Sequence, residues 1–436
     1  MALKGVLVPH RKNTKDAKPI RMAAPQLLYF PAVQCIGAPG KLCVKVGDEV
    51  KVGTLLYEAG GYVGSPIYSS VSGKVKKIED MLQSNGSYAQ CVVVENDGAM
   101  TVDESIKAPH VTDYQSFIDA VRASGVVGQG GAGFPTAVKL DVKDVSRIEA
   151  VVINGAECEP YITSDSRTML DRADDISEGI ELLRKYLGVK KVIFGIEKNK
   201  PECIAKMKEV AKAHDGVVEI KALPSVYPQG GEKVLVYHTT GKIIEEGKLP
   251  IDAGVIVINC TTLASVASYI RDGMPLIEKC VTVDGGAVNA PQNVIVPIGS
   301  PASAVFDFCG GFKSEPAKIL YGGPMMGVSV ADTNVPVIKQ TNALLAFDER
   351  EAKQKKTTSC IRCGRCTNTC PFGLAPVAFA KALNENNMEA LEALHANLCM
   401  ECGCCAFVCP AGIPLVQQNK MAKAALAAYK KKEGNK

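Results

Sequence analysis

The sequence predicts a multidomain α/β protein, and three observations carry that prediction. Its 436 residues exceed the roughly 250–300 that one hydrophobic core usually supports. Apolar runs alternate with amphipathic stretches between residues 149 and 273, the pattern of strands alternating with helices. Two cysteine-rich cassettes, CIRCGRCTNTCP and CMECGCCAFVCP, then follow near the C-terminus. An apolar content of 47% with 22% charged residues suits a globular protein with an ample core. A net charge of +4 is small for this size and gives no case for a nucleic-acid partner. No apolar run approaches the roughly 18 residues of a membrane span. The opening MALKGVLVPHRKNTKD turns polar too early for a secretory signal. With 17 cysteines, an odd number in a large chain, a disulfide framework is not indicated. The expectation is a cytosolic chain, or one peripheral to a membrane.

Residues 1–100 come first. KVGDEVKVGTLLYEAGGYVGSPIYSSVSGKVKKI (45–78) reads as short strands with glycine turns and resembles the barrel-sandwich fold of biotinyl and lipoyl carriers. Those carriers present a modified lysine at a hairpin tip. Here the tip is Gly60-Gly61-Tyr62, so no prosthetic group is expected on this domain.

Residues 110–273 form the next unit. VVGQGGAGFPTAVKL (126–140) sets Gly128, Gly130 and Gly133 at G-x-G-x-x-G spacing. The dinucleotide fingerprint should follow a strand, but DYQSFIDAVRASG before it reads as a helix. Pro135 suits the first turn of a following helix. Bare N–H groups at such a turn make a phosphate cradle, to which Lys139 could add charge; a tight turn with purely steric glycines is the alternative. Downstream, EAVVINGAE, KKVIFGIE, VVEIKALPS and GVIVINC read as strands of an open, Rossmann-like parallel sheet, with ligands at their C-terminal ends. Polar residues gather there: Asn154, Glu157 and Glu159; Tyr227, Gly230, Gly231 and Glu232; Asn259, Thr261 and Thr262.

Residues 274–345 include CVTVDGGAVNAPQNVIVPIGSPASAVFDFCGGF (280–312), which resembles a soluble ligand-binding β-grasp module, read here as packing between domains. Residues 355–420 hold the cassettes. Cys360, Cys363, Cys366 and Cys370 follow C-x2-C-x2-C-x3-C-P, and Cys399, Cys402, Cys405 and Cys409 repeat it. That is the bacterial ferredoxin run, whose fourth cysteine ligates the other cluster. One [4Fe–4S] cluster is then held by Cys360, Cys363, Cys366 and Cys409, the other by Cys399, Cys402, Cys405 and Cys370. Zinc sites usually take separated cysteine pairs and fit less well. Cys404 superposes on Arg365, which cannot ligate, and is expected to be a bystander. The remaining eight cysteines are expected to be small buried hydrophobes. Between the cassettes, two short helices broken at NENN complete a ferredoxin-like helical domain. The last segment, 421–436, is a basic tail, read with the preceding QQNK as a weakly amphipathic helix that is either solvated or docked on a membrane partner or anionic surface.

Taken in order, GQGGAGFPTAVK, INGAECEPYITSD, YPQGGEKVLVY and INCTTLASV resemble the flavin- and NADH-binding motifs of the flavoprotein subunit of complex I. With paired ferredoxin cassettes after them, the chain resembles the RnfC proteins of the Rnf complex, the ion-translocating ferredoxin:NAD oxidoreductase. The resemblance implies FMN held by Gly128, Gly130, Gly131, Gly133 and Lys139 and lined by Asn154, Glu157, Tyr227, Gly230, Gly231, Asn259 and Thr261. It implies NAD(H) facing Phe134, Glu159 and Glu232. It also implies a membrane redox complex whose iron–sulfur subunit receives electrons from ferredoxin, with this chain peripheral on the cytoplasmic side. Complex I usually has an acidic residue at Ala156 and an arginine at Gln129. No acid–base residue is required, because a flavin can exchange hydride pairs for single electrons. A cobalamin reductase of the diol-utilisation type shares all these modules and is the alternative.

Overall fold

The computed structural model describes residues 4–433. Near the N-terminus, strands Leu27–Pro31, Tyr88–Asn96, Gly73–Leu82 and Glu49–Val50 form one antiparallel sheet, and Lys41–Leu42, Leu55–Glu58 and Ile67–Tyr68 a second. The two close on a core that includes Leu28, Phe30, Leu56, Tyr57, Val92 and Val94. The tip expected at Gly60–Tyr62 is docked: the Tyr62 hydroxyl donates to Asp141 (3.0 Å), and the Arg122 guanidinium lies 5.1 Å from the ring centroid.

The alternating region folds into a four-stranded parallel sheet in the order Val218–Leu223, Val192–Glu197, Ala150–Asn154, Val255–Asn259. Relative to sequence this is 3-2-1-4, so the order reverses between the first and fourth strands. Ligands bind at the carboxyl ends of strands at such a reversal, and there Asn154 and Asn259 stand in register. Leu263 of the helix Cys260–Asp272 fills the space beside Gly179, where a Cβ would lie 2.6 Å from Leu263 Cγ. After the first strand come two helices, Ser164–Asp171 and Ala173–Leu187, broken at Arg172.

A six-stranded mixed sheet follows, ordered Ile20–Arg21, Gln292–Pro297, Glu278–Asp284, Ala343–Phe347, Lys318–Tyr321, Val328–Val330. Its edge strand comes from the N-terminal segment, which touches every domain it passes. Val6 pairs with Tyr227 (2.9 and 3.0 Å). The partly buried Lys12 ammonium donates to the carbonyls of Glu157, Glu159 and Ile162 at 2.9, 2.8 and 2.5 Å. Ile20–Arg21 then joins the mixed sheet beside Val294 and Ile295.

The cassettes repeat in backbone as well as in sequence. Arg362 and Glu401 both take left-handed φ (55° and 59°), as do Gly364 and Gly403 (71° and 86°). Each glycine starts a single helical turn, Arg365–Asn368 or Cys404–Phe407. Helices Pro376–Asn384 and Met388–Ala393 lie between the cassettes, broken at NENN. The expected basic tail helix is docked on its own domain: one helix runs from Leu415 to Glu433, with Ala422 and Leu426 buried in the same core as Phe379 and Leu391. Apolar burial of about 1.5–3 kcal/mol for a leucine draws this segment back onto the domain. Residues 434–436 lie outside the described residues.

Candidate functional site

The glycine loop is a closed turn. The Gly128 N–H donates to the Phe134 carbonyl (2.8 Å) and the Gly133 N–H to that of Gly128 (3.1 Å). Gly130 and Gly131 are exposed at its rim. Gly131 and Gly133 have φ of +114° and +66°, which favours glycine, and a Cβ on Gly133 would lie 1.7 Å from Gln340 Oε1. The helix that follows, Thr136–Leu140, is one turn, so its dipole adds little to the loop's N–H groups. Two buried oxygens beside this turn, Thr136 Oγ1 and Gln340 Oε1, lack hydrogen-bond partners among the described residues. Open N–H groups and orphaned oxygens are what a phosphate-bearing cofactor with a ribityl chain would use, so the residues fit FMN.

The strand-end residues surround this loop, with unequal duties. Asn259 caps its helix by accepting from the Thr262 N–H (3.1 Å), and its Nδ2 donates to Asp165 (2.8 Å). Thr261 Oγ1 donates to the same carboxylate (2.6 Å). Asp165, the last residue of INGAECEPYITSD, therefore organises two expected site residues, a role that no local sequence signal marks. Asn154 Nδ2 donates to the Gly230 carbonyl (3.0 Å), and the Gly230 N–H lies 3.2 Å from Cys158 Sγ. Lys139 and Glu232, expected at phosphate and at nicotinamide nucleotide, pair with each other at 2.6 Å and remain partly exposed. Phe134 is half-buried beside the loop.

Glu157 and Glu159 turn inward. The Glu157 carboxylate accepts from the N–H groups of Asp165 (2.6 Å) and Ser166 (3.2 Å), capping the helix Ser164–Asp171, and burial raises its pKa. Glu159 accepts from the N–H groups of Met325 (3.0 Å) and Met326 (2.8 Å). Burial pushes its pKa up to about 7, against the pull of those two hydrogen bonds and of Lys12. Gln129 is buried, donating to Ser265 (2.7 Å), and its carbonyl accepts from the buried Lys279 ammonium (3.1 Å). Lys279 and Gln340 come from beyond residue 273 and carry no local sequence signal.

On the far side of this cleft lies the cysteine domain. Cys370, Cys399, Cys402 and Cys405 line one cavity, walled by Phe372, Leu374, Phe379 and Val416. Cys404, expected as a bystander, lines it too; thiols around an apolar cavity suit an iron–sulfur cluster, and Cys370, the fourth cysteine of the first cassette, lies with those of the second. Cys409 packs beside Cys366, while Cys360 and Cys363 are exposed. Cys402, Cys404, Cys158, Tyr227, Met325 and Met400 share one cluster of contacts, and a Cβ on Gly231 would lie 2.3 Å from Met400 Cε. The strand-end segment Tyr227–Gly231 and the cysteine set thus abut. Of the scattered cysteines, Cys91, Cys203, Cys260 and Cys309 are buried, Cys43 is exposed, and Cys158 lies at this junction.

These modules define a flavin and iron–sulfur redox protein. Residues 121–268 match the Nuo51 FMN-binding domain, 280–329 the SLBB domain and 356–413 the 4Fe-4S dicluster domain. Residues 2–99 match the RnfC barrel sandwich hybrid domain. The C subunit of the Na(+)-translocating ferredoxin:NAD(+) oxidoreductase complex of Acetobacterium woodii is 39% identical over 90% of this chain and 89% of its own length. Its counterpart in the proton-translocating ferredoxin:NAD(+) oxidoreductase complex of Clostridium ljungdahlii is 39% identical over 85% and 82%. The counterpart in the ion-translocating oxidoreductase complex of Rhodobacter capsulatus is 38% identical over 96% and 81%. The chain belongs to the RnfC family, as an oxidoreductase subunit with FMN and 4Fe–4S domains. NAD+-reducing [NiFe]-hydrogenase shares the fold, with a TM-score of 0.51 at 20% identity; the match covers 72% of this chain and 63% of the hydrogenase chain. The cobalamin reductase alternative gains nothing from these relatives.

Proposed function

We propose that this chain is the NAD(H)-facing subunit of an ion-translocating ferredoxin:NAD oxidoreductase, peripheral on the cytoplasmic side of the membrane. Among the described residues, no helix is long and apolar enough to cross a membrane, so ion passage falls to partner subunits. The observation that carries the reading is the junction at Tyr227, Met400 and Cys402, where the segment that carries Gly230 and Gly231 meets the cysteine set. FMN, when bound, supplies the exchange between hydride pairs and single electrons.

The chain's own residues then divide the work. Gly130 and Gly131 offer N–H groups to phosphate and ribityl, Gly128 and Gly133 close the turn that presents them, and Lys139 offers charge once released from Glu232. Asn154, Tyr227, Gly230, Gly231, Asn259 and Thr261 line the flavin, with Glu157 and Asp165 fixing the segments that carry them. Phe134 and Glu232 face the nicotinamide nucleotide; Glu159 contributes through the loop it holds. Cys360, Cys363, Cys366 and Cys409 hold one [4Fe–4S] cluster, and Cys370, Cys399, Cys402 and Cys405 the other. The exposed set faces the partner iron–sulfur protein. In domain terms, 1–100 is a barrel-sandwich domain, 110–273 the Rossmann-like site domain, 274–345 a β-grasp module that packs between domains, and 355–433 one ferredoxin-like domain including the last helix.

Gly130→Val tests the cradle. A Cβ there already lies 3.2 Å from Asn259 Nδ2, and the added methyls occupy the space a phosphate needs. The expected result is loss of flavin with retention of fold and iron, read by absorbance, circular dichroism and iron analysis. Wild-type flavin content and NADH oxidation in this variant would refute the site. Parallel assays with cob(III)alamin as acceptor separate the corrinoid alternative.

A further inference from the structure

Asn419 sits in the helix Leu415–Glu433, 1% exposed, on the wall of the cysteine cavity. Its Nδ2 lies 3.5 Å from Cys399 Sγ and 3.9 Å from Cys405 Sγ, while its Oδ1 is buried without a hydrogen-bond partner among the described residues. A buried acceptor left unpaired is costly, so the amide's orientation needs a reason. Turned over, it would set its carbonyl oxygen against two sulfurs that are negatively charged as cluster ligands. Facing the sulfurs with its N–H groups is the orientation a cluster selects. One helical turn on, Lys423 Nζ donates to the Cys399 carbonyl (2.8 Å) and to Glu401 (2.6 Å), which pins this face of the helix to the ligand loop. Because Glu401 answers the lysine's charge, the neutral amide is the side-chain donor at Cys399 and Cys405, beside the Glu401 backbone N–H that Cys399 also accepts from. The other cysteine set has the matching backbone bond, from the Arg362 N–H to Cys360 Sγ (3.4 Å), in an exposed loop.

Hydrogen bonds to ligating sulfurs and solvent exposure both set cluster potentials. A donor at sulfur stabilises the reduced state, which carries one more negative charge. We propose that Asn419 sets the potential of the buried cluster, its amide donating to the Cys399 and Cys405 sulfurs and raising that potential. An electron arriving at the exposed set is thereby drawn inward, toward the flavin cradle. The step is a one-electron transfer in which no bond is made or broken. The inference rests on reading the cavity as a cluster site.

The test is EPR-monitored potentiometric titration of the full-length, cluster-loaded chain. The buried cluster's signal is identified as the one that survives Cys360→Ala. In Asn419→Leu its reduction equilibrium should fall about tenfold, which is about 59 mV for a one-electron couple. In Asn419→Asp it should fall further, because a carboxylate removes the donor and adds charge. The exposed cluster's midpoint should stay at its wild-type value in both. An unchanged buried-cluster midpoint in both variants overturns the proposal, as does an equal shift of both clusters. If the leucine variant loses iron, the nearly isosteric aspartate decides on the same terms. Wild-type protein giving no cluster signal would instead remove the premise, and the proposal with it.

Discussion

Cys363 is exposed, whereas Cys402, its counterpart in the second cassette, is buried; Cys366 is half-buried, whereas its counterpart Cys405 is buried. The spacing is the same, and so are the left-handed turns at Arg362 and Glu401 and at Gly364 and Gly403. What differs is what lies outside the cassette. The second loop has the helix Leu415–Glu433 on one side, through Asn419 and Lys423, and Met325 on the other, whose carbonyl oxygen lies 2.7 Å from a Cβ placed on Gly403. A cysteine motif specifies its ligands; the surroundings of the finished site belong to the rest of the fold.

The most drastic way to break this comparison is to remove a ligand that one set lends to the other. Cys409→Ala should cost the exposed cluster and spare the buried one, taking iron from about eight atoms per chain to about four. Loss of the buried cluster's EPR signal instead would show that the fourth cysteines do not cross. A gentler experiment leaves every ligand in place. Ferricyanide with a chelator should bleach the exposed cluster first, giving two kinetic phases of equal iron release; a single phase would mean that the burial difference has no chemical weight.

Glu159 sharpens the contrast further, because it touches the loop beside the buried set. Its folded pKa of about 7 stands above the ordinary glutamate value of about 4.3. Between these values the folded protein binds a proton that the unfolded chain has released. Stability contributed by the protonated carboxyl is therefore complete below about pH 4.3 and is lost as pH rises toward 7. Urea denaturation across that window should show wild type losing stability relative to Glu159→Gln as pH rises, by a few kcal/mol at most. A variant with the wild-type slope would assign the titration to another group. The smallest effect is expected of Lys423→Met, whose partly exposed ion pair with Glu401 belongs to a class usually worth about 0–1 kcal/mol.

The cassettes were legible because cluster ligation is a matter of spacing along a few residues. The parallel sheet was legible because Ala150–Asn154, Val192–Glu197 and Val255–Asn259 are short apolar runs between amphipathic helices. Asp165 was not, although it ends the motif INGAECEPYITSD, because its role depends on a helix bringing it between Asn259 and Thr261. Glu159 and Glu232 read alike as strand-end carboxylates. The fold buries one against Met325 and Met326 and leaves the other partly open beside Lys139. Asn419 and Ala422 looked like part of a polar, basic end to the chain; only the docked helix shows which face is inward.

The N-terminal segment has a consequence for how the chain folds. Val6, Lys12 and Ile20 meet Tyr227, Glu157 and Val294, partners that leave the ribosome long after they do. Contacts of such wide sequence separation raise contact order and slow folding. The barrel-sandwich domain can collapse early from its own strands, as domains generally do during synthesis. Its leading twenty or so residues must then wait, unpaired, until the mixed sheet exists to receive them. A bulky fusion ahead of Val6 should therefore slow the last docking event more than it harms the domain it is attached to.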